Sequence, residues 1–287
     1  MKTFFDNPAR IRFVVFFALC IILCIFSLIA PMLVPNDPGK ADLANALIPP
    51  SQDYPFGTDQ LGRCLYSRVM TGAATSIFSA FILVGVIFTI GTFIGVLSGY
   101  YGGKIDTFFM RIVDVLLAFP GMVLAIAVAG MLGSGIVNAV IAIALISWTK
   151  YARLSRSLVL SIKEENFIHA ARLGGASSLK IVARHVIPNS IGPLVVAASL
   201  DIGAMMMQLA GLSFLGLGAV PPAPEWGLML NEGRSMLQNA PWLLIYPGSA
   251  MFMTVAIFNL FGDSVRDILD PKFQKSIIKT TGGIKNA

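Results

Sequence analysis

Charge is scarce in this sequence: Asp, Glu, Lys and Arg make up only 13% of its 287 residues, against 56% hydrophobic residues. A soluble domain of this size cannot hide so much apolar surface, because its surface-to-volume ratio leaves too little interior. The composition is that of a polytopic membrane protein, with lipid as its surroundings and no nucleic acid among its expected partners. Histidine is nearly absent as well, and both copies, His169 and His185, lie in one polar segment. Two histidines on one loop cannot line a path for a bare metal ion. With no paired carboxylates facing each other inside the apolar stretches, they also count against a membrane-embedded enzyme. Of three cysteines, Cys20 and Cys24 sit inside an apolar run and Cys64 in a polar loop. That odd set argues against a disulfide framework and reads as small unpaired hydrophobes. No Gly-x-x-x-x-Gly-Lys-Ser/Thr phosphate loop occurs, so no nucleotide, cofactor or metal is expected on this chain.

What is present is a set of apolar stretches near the length of about 20 residues that a helix needs to cross the hydrocarbon. Six qualify or nearly do: 13–30, 77–98, 112–132, 136–148, 191–217 and 242–261. The fourth is short as an apolar run and is predicted to continue as helix through Tyr151, Leu154 and Leu158. The first is read as a retained span and not a cleaved signal, since Pro31 and Pro35 follow it in place of small residues. If the N-terminus is cytoplasmic, 17 of the 21 Lys and Arg fall on the inner side, leaving only Lys40, Arg63, Arg68 and Arg234 outside. The asymmetry predicts that both termini are cytoplasmic. Intramembrane charge is nearly limited to Asp114 and Asp201, which counts against a secondary transporter or channel, where several charged spans are expected.

Three local features refine this picture. Gly91, Gly95 and Gly99 recur every four residues and make a flat stripe for close helix packing, read as intramolecular. Pro120, after Phe119 and before Gly121, is expected to kink the third span. Asp114 is expected to pair with Arg111. Outside the membrane, segment 34–75 reads as a structured cap and segment 219–241 as a loop stiffened by Pro221, Pro222 and Pro224. Trp226 and Trp242 are candidate interface anchors. The tail 272–287 is basic and polar.

The inner segment 161–188 carries most information. Ser161-Ile162-Lys163-Glu164 fits a capping box. Phe167, Ala171 and Gly174 share one helical face, with Ile168 and Arg172 beside them. Gly174 and Gly175 would end the helix, and a second begins near Ser177. A helix this short is not stable alone and must form by docking. Residues His169-Ala170-Ala171, Gly175 and His185-Val186-Ile187-Pro188 resemble the EAA loop of permease subunits of bacterial ABC importers. Residues 56–63 (Phe-Gly-Thr-Asp-Gln-Leu-Gly-Arg) resemble an outer-loop signature of the dipeptide/oligopeptide/nickel branch. So do Ser213–Gly218 with Pro221–Gly227, and Phe258–Asp263 with Arg266-Asp267 and Leu269-Asp270-Pro271. His169 stands where the loop usually has Glu, and Cys64 where the outer signature usually has Asp.

The resemblance implies an all-α fold: six transmembrane helices over 1–287 as a single type I importer domain in the bacterial inner membrane. It also implies a homologous second permease, two cytosolic ATPase subunits carrying the ATP, and an extracytoplasmic substrate-binding protein. The coupling residues it implies are Glu165, Phe167, Ile168, His169, Ala170, Ala171, Arg172, Leu173, Gly174, Gly175 and Ala176. Phe167, Ile168 and Leu173 are expected to supply an apolar grip and Arg172 a charge contact. Pro221, Pro222, Glu225, Trp226 and Gly227 would face the binding protein. For the pathway, Asp201, Met205, Met206 and Gln208 are candidates: an ionisable mid-span residue is by default functional, and thioethers suit some transition metals. Asp201 could as well bond across to a neighbouring span, and the methionines are read as filling irregular gaps. The Leu-Asp-Ile-Gly-x-Met-Met pattern, with residues 141–153, looks closest to the C-type subunit of nickel permeases. It favours nickel or a nickel/metal chelate, with di- or oligopeptides as the alternative.

Overall fold

The computed structural model describes residues 8–269, so the tail 272–287 and the Asp270-Pro271 end of the last motif lie outside the described residues. The chain runs α1 (Pro8–Leu33), α2 (Leu65–Tyr101), α3 (Gly103–Leu117), α4 (Gly121–Leu132), α5 (Ile136–Lys163), α6 (Asn166–Leu173), α7 (Ser178–Ile181), α8 (Ile187–Phe214), α9 (Trp226–Gly233) and α10 (Trp242–Leu269). A π-helical stretch, Val182–Val186, fuses α7 to α8. By length and composition α1, α2, α5, the α7–α8 run and α10 can each cross a bilayer; α3 and α4 make a sixth span if taken together. Many large apolar side chains stay exposed, among them Ile22, Met32, Phe93 and Phe252, as expected where the surroundings are lipid.

Residues 112–132 were expected to form one kinked span, but they are two helices meeting at 91°. Pro120 has no N–H to donate and disfavours the α conformation at Phe119, so the helix stops instead of bending. Gly121 then opens α4, only ~18 Å long at 1.5 Å per residue. The break turns α3 across the inner part of α5. Asp106 there takes Arg156 through Nε and Nη2 at 2.5 and 2.6 Å. Asp114 takes Arg153 at 2.8 Å, and not Arg111 as expected. Two other boundaries move. α2 starts at Leu65 and absorbs the end of the outer segment 34–75. No capping box forms at Ser161, because α5 runs on to Lys163.

The seam between α2 and α5 organises the core. A Cβ on Gly91 would strike Trp148 and Tyr151, one on Gly95 would strike Ala152 and Ser155, and one on Gly99 would strike Val159 and Arg156. The stripe therefore seats α5 of the same chain, as read from its spacing. Buried side chains fall into a large cluster, including Ile77, Leu83, Ile87, Ile143, Tyr151, Met206 and Phe258. A small second cluster at the α6 end of the bundle joins Val96, Tyr100, Val159, Ile168, Ile181 and Val186.

Candidate functional site

The loop 161–188 is built on that small cluster. Lys163, the last residue of α5, donates from Nζ to the carbonyl of Tyr100 at 2.9 Å, tying the end of α5 to the end of α2. The chain turns at Glu164 and starts α6 behind Glu165. Ile168 is fully buried against Val96, Tyr100, Val159, Ile181 and Val186. Burying such a side chain contributes about 1.5–3 kcal/mol, which lets an eight-residue helix persist that could not alone. The C-terminus closes with Ala176 N–H on the Ala171 carbonyl at 3.1 Å and Gly175 N–H on Arg172 at 3.0 Å. Gly175 takes φ +77°; this is the left-handed closure for which glycine suits best.

The docking sorts the predicted coupling residues. Leu173 is 91% exposed and Phe167 42%, and Glu165, His169, Ala170, Gly174 and Gly175 are exposed too. Ile168 was expected in the outward grip, but it is the anchor holding α6 to its own chain. Arg172 leans over the Tyr100 ring at 6.0 Å, and Ala171 and Ala176 pack partly against the same cluster. The outward apolar surface is thus Phe167 and Leu173, with the Phe167 ring 6.2 Å from that of His185.

The pathway candidates separate in the same way. Met205 and Met206 turn into the core, 5% and 2% exposed. Asp201 is buried and spoken for: Lys150 Nζ donates to Oδ1 at 2.6 Å and the Tyr151 hydroxyl to Oδ2 at 2.7 Å. Gln208 lines a cavity with Ser147, Met207, Gly121 and Met122 between α4, α5 and α8.

At the opposite end of the bundle, Pro221 and Pro222 are exposed, but Glu225, Trp226 and Gly227 are buried and do not face outward. Glu225 is the N-cap of α9, its carboxylate accepting from the N–H groups of Gly227 and Leu228 at 2.8 Å each. Trp226 donates its indole N–H to the Val69 carbonyl at 2.8 Å, so it is a core residue and not an interface anchor. Trp242 instead holds the first outer loop, through the Thr58 carbonyl at 3.2 Å. Glu225→Ala is expected to lower stability by about 1–2 kcal/mol, the upper range for a lost cap; thermal unfolding in detergent would register it.

A cluster not singled out from sequence joins both outer loops. Arg63 donates to Asp59 at 2.6 Å and to Glu232 at 3.1 Å. Arg68 Nη2 meets Glu232 at 3.0 Å, while its Nη1 reaches the carbonyls of Pro38 and Pro222, each at 3.2 Å. The usable signal was the crowding of Asp59, Arg63 and Arg68 in a chain otherwise poor in charge; nothing local pointed to Glu232.

Comparison with known proteins agrees with this architecture. Residues 91–275 match the family described as binding-protein-dependent transport system inner membrane component. The chain is 41% identical to the probable D,D-dipeptide transport system permease protein of Escherichia coli K12, over 93% of this chain and 88% of that one. It is 41% identical to the nickel transport system permease protein of the same organism, over 87% and 90%. With the glutathione transport system permease protein of Pectobacterium atrosepticum it shares 48% identity, over 78% and 75%. Among solved structures, the inward-facing MetNI methionine ABC transporter superposes with a TM-score of 0.60 at 19% identity, covering 72% of this chain and 98% of the matched one; the likeness is one of fold. Membrane helices broken as above, an inner loop docked by one isoleucine and these relatives converge on one conclusion: the chain belongs to the binding-protein-dependent inner membrane components, the permease subunits of ABC importers.

Proposed function

We propose that this chain forms half of the translocation pathway of an ATP-driven importer, and that α6 is its handle for one of two cytosolic ATPase subunits. A homologous permease would complete the pathway, a substrate-binding protein would deliver solute from outside, and both termini would be cytoplasmic. The observation that carries this reading is the division of labour in α6: Ile168 anchors the helix while Phe167 and Leu173 stand outward. An exposed apolar pair on a firmly docked helix is suited to a groove on a partner.

For the solute, the geometry supports a peptide-sized molecule carried whole. Met205 and Met206 are in the core, and both oxygens of Asp201 are engaged, so of the candidates neither these two thioethers nor that carboxylate is free to strip and hold a bare ion. The relatives named for D,D-dipeptide, glutathione and nickel transport fit a small hydrophilic solute, and the nickel relative keeps a metal chelate as the second reading. The test is ATP-dependent uptake by the assembled importer in liposomes. Labelled dipeptide, glutathione, free nickel and nickel with a small chelator are offered in parallel. Saturable uptake of a dipeptide or glutathione is expected; accumulation of free nickel with neither peptide taken up would overturn the assignment.

A further inference from the structure

Asp201 costs more than a packing residue should. A carboxylate in a span is expensive, and where only a hydrogen bond between helices is needed a neutral amide would serve. This carboxylate is gripped from two sides by consecutive residues of α5. Tyr151, fully buried and with the Phe88 ring edge-on at 5.7 Å, holds it from the core. Lys150, its side chain 57% exposed, holds it from the open side. Among the described residues no other side-chain hydrogen bond joins α5 to α8.

The position of the grip matters as much as its chemistry. α5 continues unbroken from Lys150 to Lys163, ~20 Å at the rise of an α-helix, and α6 begins three residues later at Asn166. On the other helix, Asp201 lies two turns before Gln208 and the cavity that residue lines. Beyond the grip, α8 is seated closely on α10: a Cβ on Gly203 would press on Asn259 and one on Gly262 on Leu200. A push on α6 reaches α8 both through Ile181 and Val186, on which Ile168 packs, and along α5, where Asp201 is the polar joint to α8.

We propose that Lys150, Tyr151 and Asp201 form a coupling clamp, with Asp201 and Lys150 as positioning residues that make α8 follow α5 when the ATPases close. The proposal rests on the role given to α6 above. Unlike a simple stabilising contact, the clamp has an exposed ionic half that can open and a buried neutral half that persists.

The experiment uses the complete importer in liposomes and reads solute imported per ATP hydrolysed. Asp201→Asn and Lys150→Met are each expected to lower that ratio by roughly tenfold, the effect of about 1.4 kcal/mol on an equilibrium. The exchanged pair Lys150→Glu with Asp201→Lys is expected to recover a substantial part of it. Lys150→Met guards against misfolding, since that side chain is mostly exposed and Tyr151 still holds the carboxylate. If the ratio stays at the wild-type value in both single variants while assembly or thermal stability falls, the cluster is a structural staple and the proposal is wrong. A ratio that falls without recovery in the exchanged pair also overturns it. Failure of the α6 reading looks different: Leu173→Asp would then leave ATPase association intact.

Discussion

Leu173→Asp is expected to abolish import, lowering uptake at least about tenfold, while the protein still reaches the membrane in normal amount. Leu173 is 91% exposed in this chain, so its replacement removes no internal contact. In a docked complex the new carboxylate would lose water without gaining a partner, at a cost of several kcal/mol, and each 1.4 kcal/mol weakens association about tenfold. An acidic residue in the last turn also opposes the helix dipole by about 0.3–1 kcal/mol, so Leu173→Gln is the proper control; it removes the apolar contact without that penalty. Co-purification of the ATPase subunits with each variant, alongside uptake, checks the claim. Normal co-purification with Leu173→Asp would mean that α6 is not the handle. Ala171→Asp is a poorer probe, because Ala171 packs partly on the inner cluster and a charge there would undock α6 from its own chain.

Arg68→Ala is expected to cost about 3–5 kcal/mol of stability, the range for breaking a buried ion pair by removing one partner. Arg68 is fully buried, and its guanidinium serves Asp59, Glu232 and the carbonyls of Pro38 and Pro222 at once. Its loss leaves two carboxylates facing Arg63 alone and frees both outer loops from the top of α2. A large fall in thermal unfolding temperature in detergent is expected, together with loss of import that depends on the binding protein. Arg68→Met separates the causes: it fills part of the volume without the charge, so stability close to that of Ala would assign the effect to the ion cluster. Unchanged melting in both variants would show that the cluster is not what ties the outer face together.

How much of this was legible depended on the kind of signal. Gly91, Gly95 and Gly99 announced a close helix contact through spacing alone, and the partner was α5 of the same chain. Gly174-Gly175 announced the end of α6, and the hydrogen bonds close it as expected. Both are local rules in which residue type fixes backbone options. Orientation of side chains about a helix was another matter. Ile168 and Leu173 look alike in sequence, yet one is the anchor and the other the exposed face. Glu225 and Trp226 look like surface features of a proline-rich loop, yet one caps α9 and the other fills the space beside α2.

By itself the sequence determined the membrane class, the approximate spans, the short loop helix and its glycine stop, and the motifs that carry the family. Tertiary structure alone decided which side of each helix is buried and which stays exposed, and which opposite charges meet. The reason is physical. Lipid is as apolar as a protein core, so hydrophobicity cannot tell an outward Phe252 from an inward Phe258 as it can in water. Ion pairs such as Asp114 with Arg153 exist only because the chain turns through 91° at Pro120, a geometry that no spacing along the sequence contains.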